Sequence, residues 1–159
     1  MAQFDGLLNS GITGVKDVSD TVKIMIHIDR GGDYSGAKWF FDNLNAQGVN
    51  FDIIGLSYYP WWHGSLTDLT NNLDQLAVRY HKPILIAETA YPWTLRYDDN
   101  AANIVGSSNQ LLPVYPATVD GQKSYLDKVF DIVHNVPDHT KADSSQTVSQ
   151  AEFTCISCR

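Results

Sequence analysis

PILIAETAYPW, residues 83–93, decides how the chain is read. Five apolar residues in six positions run directly into Glu88, and Tyr91, Pro92 and Trp93 follow. A short apolar run bounded by turn residues reads as a buried strand. Here the strand ends by delivering a carboxylate into an aromatic setting. The choice of acid is unusual for this chain, which has sixteen Asp but only two Glu, Glu88 and Glu152.

Working outward, the same unit recurs. VKIMIHI (22–28) and FDIIGLSYY (51–59) are two further strand-like runs. Between them SGAKWFFDNLNAQG (35–48) reads as a helix, with Ser35 as its cap and Gly48 as its stop. SLTDLTNNLDQLAVRYH (65–81) opens with the cap pattern of Ser65 and Asp68 and keeps apolar residues at helical spacing. FDGLLNSGI (4–12) reads as the end of an earlier helix. A last helix is expected around 121–135, after a long loop containing Gly106, Pro113 and Pro116. Ile24 and Asp52 are 28 residues apart, and Asp52 and Ile84 are 32 apart, one β-α unit in each case. Alternating elements of this kind imply an α/β fold with parallel strands and helices packed outside. Periodicity leaves two architectures open: a small doubly wound sheet, or part of a (β/α)8 barrel, which needs about 250 residues when complete. No Gly-rich phosphate loop follows any strand.

Composition narrows the partners. A net charge of −7 with no basic cluster excludes nucleic acid and an anionic membrane surface. No apolar run approaches the roughly 20 residues that span a bilayer. The opening MAQFDGLLNSG lacks the basic flank and apolar block of a signal peptide. Residues 138–159 have no periodicity and few apolar side chains and read as a disordered tail after a domain of 1–137. That tail holds the two cysteines, Cys155 and Cys158. A redox CxxC opens a helix after a strand, whereas this one sits in a polar stretch of sequence.

Polar and aromatic groups gather where each strand ends. His27, Asp29, Arg30 and Asp33 follow the first strand. Ser57, Tyr58, Tyr59, Trp61, Trp62 and His63 follow the second. Glu88, Thr89, Tyr91 and Trp93 end the third. In parallel α/β folds this edge binds ligands. Flat aromatic faces suit the C–H faces of sugar rings, and a strand-end carboxylate can attack an anomeric carbon or act as acid or base. From pattern alone, Glu88 reads equally well as half of an ion pair, His27 as a hydrogen-bonded interior histidine, and Asp29 and Asp33 as helix caps.

Four segments carry a resemblance: HIDRGGD (27–33), WFFDNLNAQGVNFDIIGLSYYPWWHGSL (39–66), KPILIAETAYPW (82–93) and NIVGSSNQLLPVYPATVDGQKSYL (103–126). Together they resemble glycoside hydrolase family 53, the endo-β-1,4-galactanases that cut arabinogalactan and pectic galactan. The resemblance covers about residues 4 to 136. It implies a partial (β/α)8 barrel running from about helix four to helix seven, a retaining mechanism, a galactan partner, and secretion of the intact family member. It implies Glu88 as nucleophile at the end of strand seven, with Tyr58 hydrogen-bonded to it. His27, Asp29, Tyr59, Trp61, Trp62, His63 and Trp93 become sugar-binding residues. No cofactor enters the chemistry. Bacterial relatives can hold a structural calcium near the loop after strand seven, and Asp98, Asp99 and Asn100 carry hard oxygens of the kind such an ion needs; the ligand count favours an ordinary surface loop. The sequence also departs from the family. It has no Asn-Glu pair to serve as acid/base, and the likeness stops near Pro137 without a Tyr-Trp-Glu-Pro segment. The expectation is therefore a fragment inactive alone, with open sheet edges available for self-association. The alternatives are a non-catalytic sugar-binding half-barrel and a truncated or frame-shifted product.

Overall fold

The computed structural model describes residues 2–97 and 103–137. The tail and Asp98, Asp99 and Asn100 lie outside those residues. The elements run α1 (Ala2–Val18), β1 (Met25–Ile28), α2 (Tyr34–Ala46), β2 (Ile53–Tyr58), α3 (Pro60–His63), α4 (Leu66–Tyr80), β3 (Ile84–Thr89) and α5 (Val119–His134). The three strands form one parallel sheet in the order β1-β2-β3. With helices between successive strands, this is consecutive β-α units of a barrel wall rather than a doubly wound sheet, whose strand order reverses.

The core lies between the sheet and the helices. Ile54, Leu56 and Tyr58 of β2 are fully buried there with Phe41 and Leu44 of α2, Leu69, Leu73 and Leu76 of α4, and Tyr125 and Val129 of α5. Helices α2 and α4, from successive β-α units, are also tied by polar contacts. Arg79 of α4 donates two 2.8 Å bonds to the Asp42 carboxylate of α2, and the Tyr80 hydroxyl adds a third at 2.9 Å.

Local chemistry moves some expected boundaries. β1 begins at Met25, not at residue 22, because the Asp52 carboxylate accepts the Ile24 backbone N–H at 2.7 Å and holds the approach to the strand. That hydrogen bond, ahead of the opposing effect of burial, keeps the Asp52 carboxyl below the usual range. Asp33, not Ser35, caps α2 by accepting the Gly36 N–H. Thr118 caps α5, which starts two residues before Gly121. The Ser65–Asp68 capping box forms as expected. The run PWWH is a single helical turn with Pro60 in its first turn, where a missing N–H costs nothing.

Two glycines let the loop after β1 dock on the end of β2. The Gly31 N–H donates to the Ser57 carbonyl at 3.0 Å. A Cβ on Gly32 would lie 1.8 Å from the His63 carbonyl oxygen. Gly32→Ala should therefore cost about 1–3 kcal/mol, as overpacking does. Gly14→Ala should instead gain up to about 1 kcal/mol, because a Cβ there meets nothing within 4 Å on a helix. Urea midpoints of the two variants should move in opposite directions.

Candidate active site

Three neighbouring strands each contribute one residue to a continuous hydrogen-bonded row. His27 Nε2 on β1 lies 2.8 Å from Ser57 Oγ on β2, and Ser57 donates to Glu88 Oε2 on β3 at 3.1 Å. A bulge makes this possible. Leu56 pairs with Ile86, but the next pair is Ser57 with Glu88, so Ala87 is the extra residue. In an unbroken strand Glu88 would share the face of Ile84 and Ile86, which pack toward the helices. The bulge turns Glu88 to the opposite face and sends Thr89 to the helix side, where its hydroxyl lies 3.1 Å from the Tyr125 hydroxyl. Bulges beside active sites commonly re-aim a side chain in this way.

The same geometry corrects the expected role of Tyr58. It alternates with Ser57, so it points into the helix layer, is fully buried, and donates to the Gly64 carbonyl at 2.9 Å. Burial, with a smaller push from Asp68, raises its phenol far above the ordinary value. The hydroxyl that reaches Glu88 belongs to Tyr59, which donates to Oε2 at 3.1 Å. Tyr59 lies past the strand end and is free to turn back over the sheet edge.

Tyr59 is also the hub of an aromatic wall. Its ring centroid is 5.5 Å from those of Trp61 and Trp62 and 6.0 Å from His63. His63 Nδ1 accepts the Tyr59 backbone N–H at 3.0 Å, so the ring is anchored as a neutral acceptor. Burial is the main influence that lowers its imidazole below the ordinary range. Trp62 stands 62% exposed beside the half-buried Trp61. Trp93 is exposed on the loop after β3. Asp29 is exposed and lies 3.5 Å from Arg30 of its own loop, at the same edge but outside the Glu88 row. Ser57 is the site residue to which the sequence assigned no role.

The Tyr59 phenol is raised above its ordinary value by burial first, then by its hydrogen bond to Glu88 and the charge of that carboxylate. Glu88→Gln removes the charge, which favours the phenolate. Tyr59 should then titrate closer to the ordinary value of about 10, while staying above it because burial remains. NMR of ring-labelled tyrosine, assigned with Tyr59→Phe, reads the change. An unmoved Tyr59 would mean that the two side chains are not in contact.

A carboxylate aimed from the end of a parallel strand into an aromatic wall places the chain among sugar-handling β/α barrels. The chain belongs to glycosyl hydrolase family 53, whose family model matches residues 1–143. It is 55% identical over 135 residues to an uncharacterised protein in the bgaB 5′ region of Niallia circulans, covering 85% of this chain and 37% of that one. It is 41% identical over 126 residues to the arabinogalactan endo-β-1,4-galactanase of Cellvibrio japonicus, covering 76% and 32%. Among solved structures, the family 53 catalytic domain of Ignisphaera aggregans superposes with a TM-score of 0.78 at 39% identity, over 87% of this chain and 38% of that one. The chain thus spans about a third of the length of the proteins it matches.

Proposed function

We propose that this chain carries the nucleophile side of a retaining endo-β-1,4-galactanase site. The observation that supports this reading most directly is the state of Glu88. Two hydroxyls hold its Oε2, no described residue donates to Oε1, and the aromatic wall begins at one of those hydroxyls. In the reaction, an oxygen of Glu88 forms a bond to the anomeric carbon of a galactosyl unit as the glycosidic bond breaks. The leaving oxygen takes the bonding pair and a proton from a general acid. Water, activated by the same group, then releases the sugar with retained configuration. Retaining sites hold the two carboxyl groups about 5 to 5.5 Å apart. The groups in contact with Glu88 here are hydroxyls, and the sequence contains no Asn-Glu pair. In this reading the chain supplies the nucleophile and the aromatic subsites, and the acid/base is not its own. The substrate class is β-1,4-linked galactan, which is what the related Cellvibrio enzyme is named for.

The test uses a probe that needs no acid. With 2-deoxy-2-fluoro-β-galactosyl fluoride, Glu88 displaces fluoride, which leaves with the electron pair, and a stable ester remains. Intact mass should show one fluorogalactosyl unit added, and peptide mapping should place it on Glu88. An adduct elsewhere, or galactan binding without any adduct, would favour the non-catalytic sugar-binding reading.

A further inference from the structure

A serine hydroxyl has one proton, and an ionised carboxylate can only accept. Between His27 and Glu88, the proton of Ser57 therefore goes to Glu88 Oε2 at 3.1 Å, and its lone pair faces His27 Nε2 at 2.8 Å. His27 must then be the donor, with its proton on Nε2. Tyr59 supplies a second donor to the same Oε2. The last torsion of a glutamate is broad and poorly defined by itself. Two donors on one oxygen define it, and they leave Oε1 without a donor among the described residues. Ser57 is 5% exposed and stands on the central strand of the three, with its partners on both neighbours, so the row is held by the sheet and not by a loop.

We infer that Ser57, backed by His27, is a positioning residue that fixes Oε2 of Glu88 and reserves Oε1 as the attacking oxygen, an inference that rests on Glu88 being the nucleophile. The arrangement suits both ends of the step. When Oε1 bonds to the anomeric carbon and the leaving group departs with its electron pair, Oε2 changes from a carboxylate oxygen to an ester carbonyl oxygen. It remains an acceptor throughout, so neither Ser57 nor Tyr59 has to move. Substrate need never touch Ser57.

The test compares wild type and Ser57→Ala in the full 159-residue chain with the fluorogalactosyl fluoride probe. Adduct formation is followed by mass at several probe concentrations. Ser57→Ala should slow the saturated rate by roughly ten- to a hundredfold, the scale of a misplaced reacting group, and leave the half-saturating concentration unchanged. An equal rate, or a loss seen only in half-saturation, overturns this inference alone. Absence of an adduct on wild-type Glu88 overturns the nucleophile reading, and the inference with it. Nitrogen-15 NMR of wild-type His27 gives an answer that does not depend on the variant folding. The neutral ring should carry its proton on Nε2. A proton on Nδ1 would show that Ser57 donates to His27 instead, and the row would not serve Glu88.

Discussion

Glu88→Gln should abolish transfer of the fluorogalactosyl unit to the chain, a loss on the order of 10⁴-fold or more, as for removal of other covalent nucleophiles. The size of the effect follows from what glutamine keeps and what it lacks. Its side-chain carbonyl can accept the hydrogen bonds of Ser57 and Tyr59 in place of Oε2, so the row across the sheet survives. Its volume matches that of glutamate, so the half-buried position is filled. It has no negative oxygen with which to form the ester. The variant should therefore fold like its parent, with a thermal midpoint within a few degrees, while the mass adduct disappears. A rate within tenfold of the parent would place the nucleophile elsewhere. Mapping the adduct in the parent excludes the trivial case of a probe that labels surface groups.

The contrast between Glu88 and its neighbours shows which parts of this site were legible in the sequence. Three strands, their parallel order and the polar character of their C-terminal ends follow from apolar runs, helical spacing and β-α intervals, all of which are local. What Glu88 faces is not local. Alternation from Ile84 and Ile86 would have put it among the helices, and only the pairing with β2 creates the bulge at Ala87 that turns it out. For the same reason Tyr58 and Tyr59 could not be told apart by position. Both follow β2's apolar core, but strand alternation commits Tyr58 to the helix layer, while Tyr59 is past the last pair. Ser57 carried no signal of its own, because a serine inside a strand commonly does nothing but fill space. Its role depends on His27 and Glu88, which are 30 and 31 residues away along the chain. The cap of α2 stayed open between Asp33 and Ser35 for a simpler reason: both are good caps, and the choice between them is made by which backbone N–H each can reach.

The other large effect expected is a dependence on the leaving group. The chain should form its adduct with fluoride or a dinitrophenolate as leaving group, yet turn over galactan about 10² to 10⁴ times more slowly than the 41%-identical Cellvibrio galactanase, the usual contribution of a general acid. Fluoride departs as a stable anion, whereas a sugar oxygen departs as an alkoxide unless it is protonated in the transition state. Ser57 and Tyr59, the groups that touch Glu88, are too weakly acidic for that, and burial with the nearby charge makes the Tyr59 phenol weaker still. Glu88 is the only glutamate among the described residues, and the acids on the loop after β1, Asp29 and Asp33, are both paired with Arg30. The second half of the reaction shows the same deficiency from the other side. Water attacking the glycosyl ester needs a base, whereas azide does not: it bonds to the anomeric carbon, the ester C–O bond breaks, and Glu88 recovers its carboxylate. Azide should therefore accelerate turnover of a dinitrophenyl galactoside and yield galactosyl azide of retained configuration. Water should yield product only slowly. Galactan turnover matching the Cellvibrio enzyme, insensitive to azide and abolished by Glu88→Gln, would show that this chain holds a proton donor of its own and that the division of labour proposed for it is wrong.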